Sequence, residues 1–435
     1  MKILGREIRI RKLAIVTLAL VSVVLAGLLI QSYYASNLQN SANVMNAAYA
    51  ASDQKAYSVD PALVSANTQF AFNLFQELIN EDPDSNIFIS PLSISMALAM
   101  TYNGAEGATK DAMSNTLCFG NMSLEEVNQA FSNLRESLQN VDQQVKLMIG
   151  NSVWMSQSFA PSVYQSFLDR VQSSFDGQTF TRDFNNPQTV EEINNWIDNA
   201  TNGKIPKMID QIDPTEVMLL INAIYFKGSW VTSFDPSQTK QQDFFLSPGN
   251  STNVSMMYTS GNFTYYSDDN CQVARLPYGR DKVAMYIFLP NEGTSLDSFI
   301  ASLNQTTHDA IINKLEPVNN LIVQLPKFTV EYGVNLNTAL ENLGMTTAFD
   351  PKAANFSGIA SITQRNLYIS YVDHKAVIEV NEEGTQAAAA TVVGVSAAIA
   401  HESPTFIVNR PFYFEIRDDR SGSILFMGKI VNPTD

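Results

Sequence analysis

Cysteine is nearly absent from this chain: only Cys118 and Cys271 occur, 153 positions apart and without a C-x-x-C spacing. Neither a disulfide framework nor a thiolate metal site is indicated. The two read as unpaired thiols, with a single long-range bridge as the alternative. Histidine is as sparse, and His308, His374 and His401 show no metal-ligand spacing. No Gly-rich phosphate loop is present, so neither a metal nor another cofactor is expected. Positive charge is scarce too: 27 basic residues face 43 acidic ones, the net charge is −16, and no Lys/Arg cluster lies beyond residue 12. That balance argues against nucleic acid or another polyanion as partner. Hydrolase signatures are incomplete. Gly394-Val-Ser-Ala-Ala398 approaches G-x-S-x-G but lacks the second Gly and a strand-turn-helix context. Ser237-Gln-Thr-Lys240 fits S-x-x-K without its S-D-N or K-T-G companions, and adjacent acids such as Glu125 and Glu126 define no acid/base pair. Catalysis is not expected.

What is present begins with the N-terminus. Lys2, Arg6, Arg9, Arg11 and Lys12 precede an uninterrupted apolar run from Leu13 to Ile30. Its 18 residues would reach about 27 Å as a helix, enough to cross a bilayer. Basic residues on its N-terminal side keep that side in the cytoplasm and place the rest of the chain outside. The segment is a retained anchor or a signal peptide. It is longer than the usual cleaved core, and the Ala48-Tyr49-Ala50 cleavage-like site lies well beyond it, which favours the anchor. No Cys follows Leu25-Ala26-Gly27, so lipidation there is not available. Residues 31–58, rich in Asn, Ala, Ser and Gln, read as a flexible tether.

Residues 59–435 read as one domain, long enough and apolar enough to bury a large core. Helical spacing runs from Ala62 to Leu78 (Val64, Phe70, Phe72, Leu74, Phe75, Leu78) and again from Ser90 to Asn103. Beyond residue 215 short β-rich runs take over: Val217–Phe226, Val283–Leu289, Leu321–Leu325, Leu367–Tyr371 and Ala376–Val380. A closing hairpin joins Phe412–Ile416 to Ser423–Met427 through a turn carrying Gly422. Helices early and strands late, without βαβ alternation, predict an α+β fold with antiparallel sheets.

One stretch fits neither pattern. Gly384 to Ala400 reads GTQAAAATVVGVSAAIA, with no charge, proline or large aromatic. Alanine favours a helix. The Val392-Val-Gly-Val395 run and the lack of a polar face favour an extended chain instead. As a strand it turns Thr385, Ala387, Ala389, Thr391 and Val393 to one side, all slim enough to slide into a closed sheet.

Several motifs resemble the serpin family. They include Asn86-Ile-Phe-Ile-Ser-Pro-Leu-Ser-Ile94, Gly104-Ala-Glu-Gly-Ala-Thr109, Ile193-Asn-Asn-Trp-Ile197, Thr201-Asn-Gly-Lys-Ile205 and Ile221-Asn-Ala-Ile-Tyr-Phe-Lys-Gly-Ser-Trp230. Leu325-Pro-Lys-Phe-Thr329, Leu343-Gly-Met345, Phe356-Ser-Gly358, His374-Lys-Ala376, Glu382-Glu-Gly-Thr385 and Asn409-Arg-Pro-Phe412 continue the series in order over residues 60–435. The resemblance implies three β-sheets, eight or nine helices and a reactive-centre loop over residues 384–403. It implies a suicide inhibitor of serine proteases, in which the cleaved loop enters the main sheet as a strand and traps the acyl-enzyme.

Carried over residue by residue, the resemblance makes Glu382, Glu383, Gly384, Thr385, Gln386, Ala387, Ala388, Ala389 and Ala390 the hinge. Thr385 is expected to be exposed before cleavage. The cleaved bond falls between Ala398 and Ile399, or one or two residues away. Alanine there suits elastase- or subtilisin-like proteases with shallow primary pockets. Ser90, Ser93, Asn222 and His374 match the family's shutter, and Trp230, Lys327 and Glu382 its breach. Activation by heparin-like polyanions is not expected, because Leu124–Leu138 carries only Arg135 against Glu125, Glu126 and Glu136. A monomer is expected. The alternative within the family is a non-inhibitory carrier, chaperone or structural protein, whose loops commonly carry a charge near the hinge. Seven N-x-S/T sequons, among them Asn121, Asn199 and Asn262, are no more than this composition yields by chance.

Overall fold

A computed structural model describes residues 50, 59–139, 141–142, 144–213, 215–361, 366–385 and 403–434. The chain divides into two compact units, Met1–Ala51 and Ser52–Asp435. The apolar run at 13–30 and nearly all of the tether lie outside the described residues. Among the described residues, no helix is long and apolar enough to cross a membrane.

The second unit is α+β. Its first helix, α1 (Pro61–Glu81), starts where Asp60 accepts a hydrogen bond from the Ala62 amide and Pro61 fixes the first turn. The face it buries carries Leu63, Phe70, Leu74, Phe75 and Leu78. A short strand, β1 (Ile87–Ile89), leads to α2 (Pro91–Tyr102), capped by the Ser90 side chain. The helix expected over Ser90–Asn103 is present as α2, and because it is buried nearly all round it shows almost no amphipathic period. Then come α3 (Gly107–Thr116), α4 (Leu124–Gln139), β2 (Val145–Ser156), α5 (Gln165–Phe175), β3 (Gln178–Arg182), α6 (Gln188–Ala200) and β4 (Met218–Ser229).

The later half is mostly strands: β5 (Lys240–Ser247), β6 (Asn250–Ser267), β7 (Cys271–Tyr278) and β8 (Val283–Pro290). Helices α7 (Leu296–Ser302) and α8 (Gln305–Ile312) follow, then β9 (Glu316–Pro326), β10 (Phe328–Asn335), β11 (Asp373–Asn381), β12 (Gly384–Thr385), β13 (Thr405–Ile407), β14 (Phe412–Asp418) and β15 (Ser423–Ile430). Two of the three expected sheets are continuous. They form a nine-stranded assembly in the order β1-β15-β14-β8-β7-β6-β9-β13, with β5 against β6. The long β6 joins them, pairing with β9 on both sides of the irregularity at Gly261/Phe263, with β5 before it and with β7 after it. The remaining sheet has the order β10-β11-β12-β4-β2-β3.

The core lies between the two sheets and α1, α2 and α4. Phe88 stacks on both Phe414 and Phe426 at its centre. A second apolar layer covers the outer face of the six-stranded sheet, where Ile193 and Ile197 of α6 meet Trp154, Leu219 and Ile221. Leu367–Tyr371 is not a strand, contrary to its apolar composition. The ladder between β10 and β11 ends at the Asn335–Asp373 pair. Below it the Asn337 side chain binds Ser370 O and the Val372 amide in place of a neighbouring strand.

Candidate functional site: hinge, shutter and slot

Among the described residues, the backbone ladder that joins β11 to β4 at the centre of the six-stranded sheet consists of two residues. Gly384 and Thr385 pair with Asn381 and Val380 of β11 on one side, and with Ser229 and Gly228 of β4 on the other. Among the described residues β4 and β11 share no ladder of their own. Gly384 adopts φ +152°, and a Cβ there would lie 2.1 Å from Gly228 O, so only glycine permits this approach.

Thr385 is buried, with 3% of its surface exposed, which corrects the expectation of a solvent-exposed side chain. Its Oγ1 lies 2.7 Å from the Tyr278 hydroxyl. Trp230 stacks on the Tyr278 ring at 4.3 Å, and Gly228 leaves room for that ring. The start of the loop is therefore already docked as a strand. The sequence could not reveal this, because the partner Tyr278 lies 107 positions away.

Above the docked pair, Glu382 is tied on several sides. Lys327 Nζ lies 2.9 Å from Glu382 Oε2, and Thr239 Oγ1 donates to Glu382 Oε1 at 2.8 Å. Burial alone would raise the Glu382 carboxyl, but these hydrogen bonds outweigh it and hold it below its ordinary value. The Phe234 amide donates to Glu382 O, the Trp230 amide to Glu383 O and the Trp230 indole to Asn381 O, each within 3.0 Å. Trp230, Lys327 and Glu382 thus form one constellation around the root of the loop. Thr239 and Tyr278 join it, and neither stood out in the sequence.

Lower in the sheet, Ser90, Ser93, Asn222 and His374 meet. The Ser90 amide donates to His374 Nε2 at 3.2 Å, and the Ser90 hydroxyl caps the Ser93 amide while donating to Leu425 O. The Ser93 hydroxyl donates to Asn222 Oδ1. Asn222 Nδ2 reaches Asn151 Oδ1 at 2.6 Å, and Asn151 in turn binds Phe175 O. Burial lowers His374 to about 4, so the ring is neutral and its Nε2 can accept. Asn151 is the member that sequence reasoning missed, since a lone Asn in the middle of a strand carries no signal.

Between the feet of β4 and β11 opens a cavity of about 930 Å³, lined by Ser93, Leu98, Met218, Asn222, Tyr371 and His374 among others. Gln386 to Ala390 and the Ala398–Ile399 bond lie outside the described residues. Cys118 and Cys271 are both unpaired. Burial raises both thiols, Cys271 to about 12, so neither is an activated nucleophile.

Among the described residues the six-stranded sheet carries only the Gly384–Thr385 pair between β4 and β11, with the cavity opening below it. The serpin (serine protease inhibitor) family model matches residues 65–433. The human leukocyte elastase inhibitor is 34% identical over 382 residues, covering 85% of this chain and 99% of that protein. An uncharacterized serpin-like protein of Methanosarcina acetivorans is 33% identical, covering 85% and 86%. Among solved structures, the thermophilic serpin tengpin in its native state gives a TM-score of 0.78 at 33% identity, covering 86% of this chain and 95% of that one. Human thyroxine-binding globulin complexed with thyroxine gives 0.78 at 31%, covering 88% and 100%. The chain belongs to the serpin family.

Proposed function

We propose that the protein inhibits serine proteases with shallow primary pockets, of elastase or subtilisin type, as a suicide substrate. The observation that carries this reading is the docked hinge, Gly384–Thr385, standing at the head of an open slot and followed by residues without a single charge. Cleavage between Ala398 and Ile399 would free the loop to continue as a strand. Gly228 and Val380 both pair with Thr385. If that register continues, Asn222 and His374, each six residues further down, both fall opposite Thr391. Two independent strands therefore point to the same loop residue arriving at the shutter, and its hydroxyl suits that polar cluster. A strand of roughly fourteen residues would add on the order of ten net hydrogen bonds at about 0.5 to 1.5 kcal/mol each. That total is comparable to the stability of a whole domain. It suffices to distort an attached protease and stall deacylation.

The alternative carrier or structural role is disfavoured by the same loop. Every inward position from Ala387 to Ala397 is small, aliphatic or Thr, and none would carry a charge into the sheet interior. The test is to incubate the protein with an elastase and a subtilisin. A denaturant-resistant complex of the summed masses, less a C-terminal peptide beginning near Ile399, is expected. Clean cleavage of the loop with full protease activity remaining would place the protein among the non-inhibitory members.

A further inference from the structure

Three side-chain contacts tie β11 and its approach to the opposite bank of the slot. Lys204 Nζ, just past α6, lies 3.2 Å from Glu379 Oε2. Lys375 Nζ donates to Lys207 O at 3.3 Å. At the foot, the Tyr371 hydroxyl donates to Glu216 Oε2 at 3.4 Å. Glu216 and Tyr371 both line the cavity, each two residues before its strand begins. A strand that widens the slot at its foot would part the Tyr371–Glu216 contact.

The third differs in kind from the others. Glu216 is 8% exposed, with no cation against it among the described residues and two further carboxylates around it. Asp213 lies on its own bank, where its backbone carbonyl accepts from the Glu216 amide, and Asp373 stands on the opposite foot. We propose that Glu216 and Tyr371 form a proton-controlled clasp across the slot: closed when Glu216 is protonated, and loosened when it ionises, because a carboxylate there is buried and has Asp213 and Asp373 for neighbours. The clasp would set how readily a strand is admitted, and so deepens the inhibitory reading on which it rests.

The sign follows from the site. Burial is the largest influence on Glu216 and raises it to about 7, with Asp213 and Asp373 adding to it and hydrogen bonds from the Glu216 backbone amide and Tyr371 opposing. Once the feet part, water reaches the carboxyl and it returns toward its ordinary value. Ionisation therefore favours the open slot, and opening becomes easier as pH rises through 7. His374, also in the cavity wall, is held at about 4 and does not titrate in that window.

An acetylated, fluorescent peptide of residues 385–398 contains no titratable side chain, so its annealing into the full-length protein reports the slot alone. Wild type should take it up about three- to tenfold faster at pH 8 than at pH 6. Glu216→Gln should lose that slope and anneal at pH 8 as slowly as wild type does at pH 6. Tyr371→Phe should speed annealing at pH 6. A flat wild type, a slope retained in Glu216→Gln, or no annealing at any pH overturns the clasp. Covalent trapping is read separately on a gel. A protein that anneals with the expected slope yet traps no protease keeps the clasp and loses the inhibitory reading.

Discussion

Thr385 shows what a single side chain decides. Because it is docked in the uncleaved sheet, a substitution there acts on the resting protein as well as on insertion. In Tyr278→Phe the Thr385 hydroxyl loses its 2.7 Å partner inside the core. Denaturant unfolding should register a loss of about 0.5 to 1.5 kcal/mol. His308 offers a second residue-scale test. Its Nε2 lies 2.8 Å from Glu415 Oε1 and both side chains are fully buried. Burial alone would lower the imidazole, but the Glu415 carboxylate and Asp309 outweigh it and push it up to about 9. A histidine raised above its unfolded value contributes stability that is complete below about 6.5 and is lost as pH climbs through 9. Unfolding free energy should therefore fall across that window. His308→Gln should be less stable at pH 6 and lack that decline. An unchanged slope in the variant would assign the pH dependence elsewhere.

Elements differ in how openly the sequence displays them. The ends of α2 were legible because Ser90, Pro91 and Asn103 punctuate it, and β14–β15 because apolar runs flank a turn at Gly422. Strands β5 and β6 were not, since Ser, Thr, Asn and Gln interrupt the apolar residues of 240–267. Their ladders with each other and with β9, together with buried Phe244, Val254, Met256, Met257 and Phe263, hold them. Leu367–Tyr371 failed in the opposite direction, being strand-like in composition yet bordering an open slot. The hinge and shutter residues were found only through motif resemblance, because contacts such as Ser90–His374 join positions 284 apart. The β12 hinge can be tested directly as an element. Gly384→Ala sets a methyl against Gly228 O and should expel the docked pair. The Trp230 amide, which now donates to Glu383 O, should then exchange with solvent at least about tenfold faster. Unaltered exchange would mean that the hinge does not depend on glycine.

On the scale of the whole molecule, the basic flank before an 18-residue apolar run leads us to propose that the domain is held on the outer side of a membrane. Protease added to intact cells should reach the domain, and failure to do so would reverse the assigned orientation. The central claim is narrower: a strand enters at Thr385, and its entry is what arrests the protease. Thr385 faces the interior, so in an inserted strand the side chain at the next position would face outward by alternation. Arg at 385 must either be buried unpaired, at several kcal/mol, or keep the hinge undocked. Arg at 386 meets neither demand. Since each 1.36 kcal/mol added to the insertion barrier slows it tenfold, the decisive measurement is the number of inhibitor molecules consumed per elastase inactivated. This count should rise at least about tenfold for Thr385→Arg, with cleavage of the loop undiminished, and stay near the wild-type value for Gln386→Arg. Equal values for Thr385→Arg and wild type would contradict insertion from Thr385 as the mechanism.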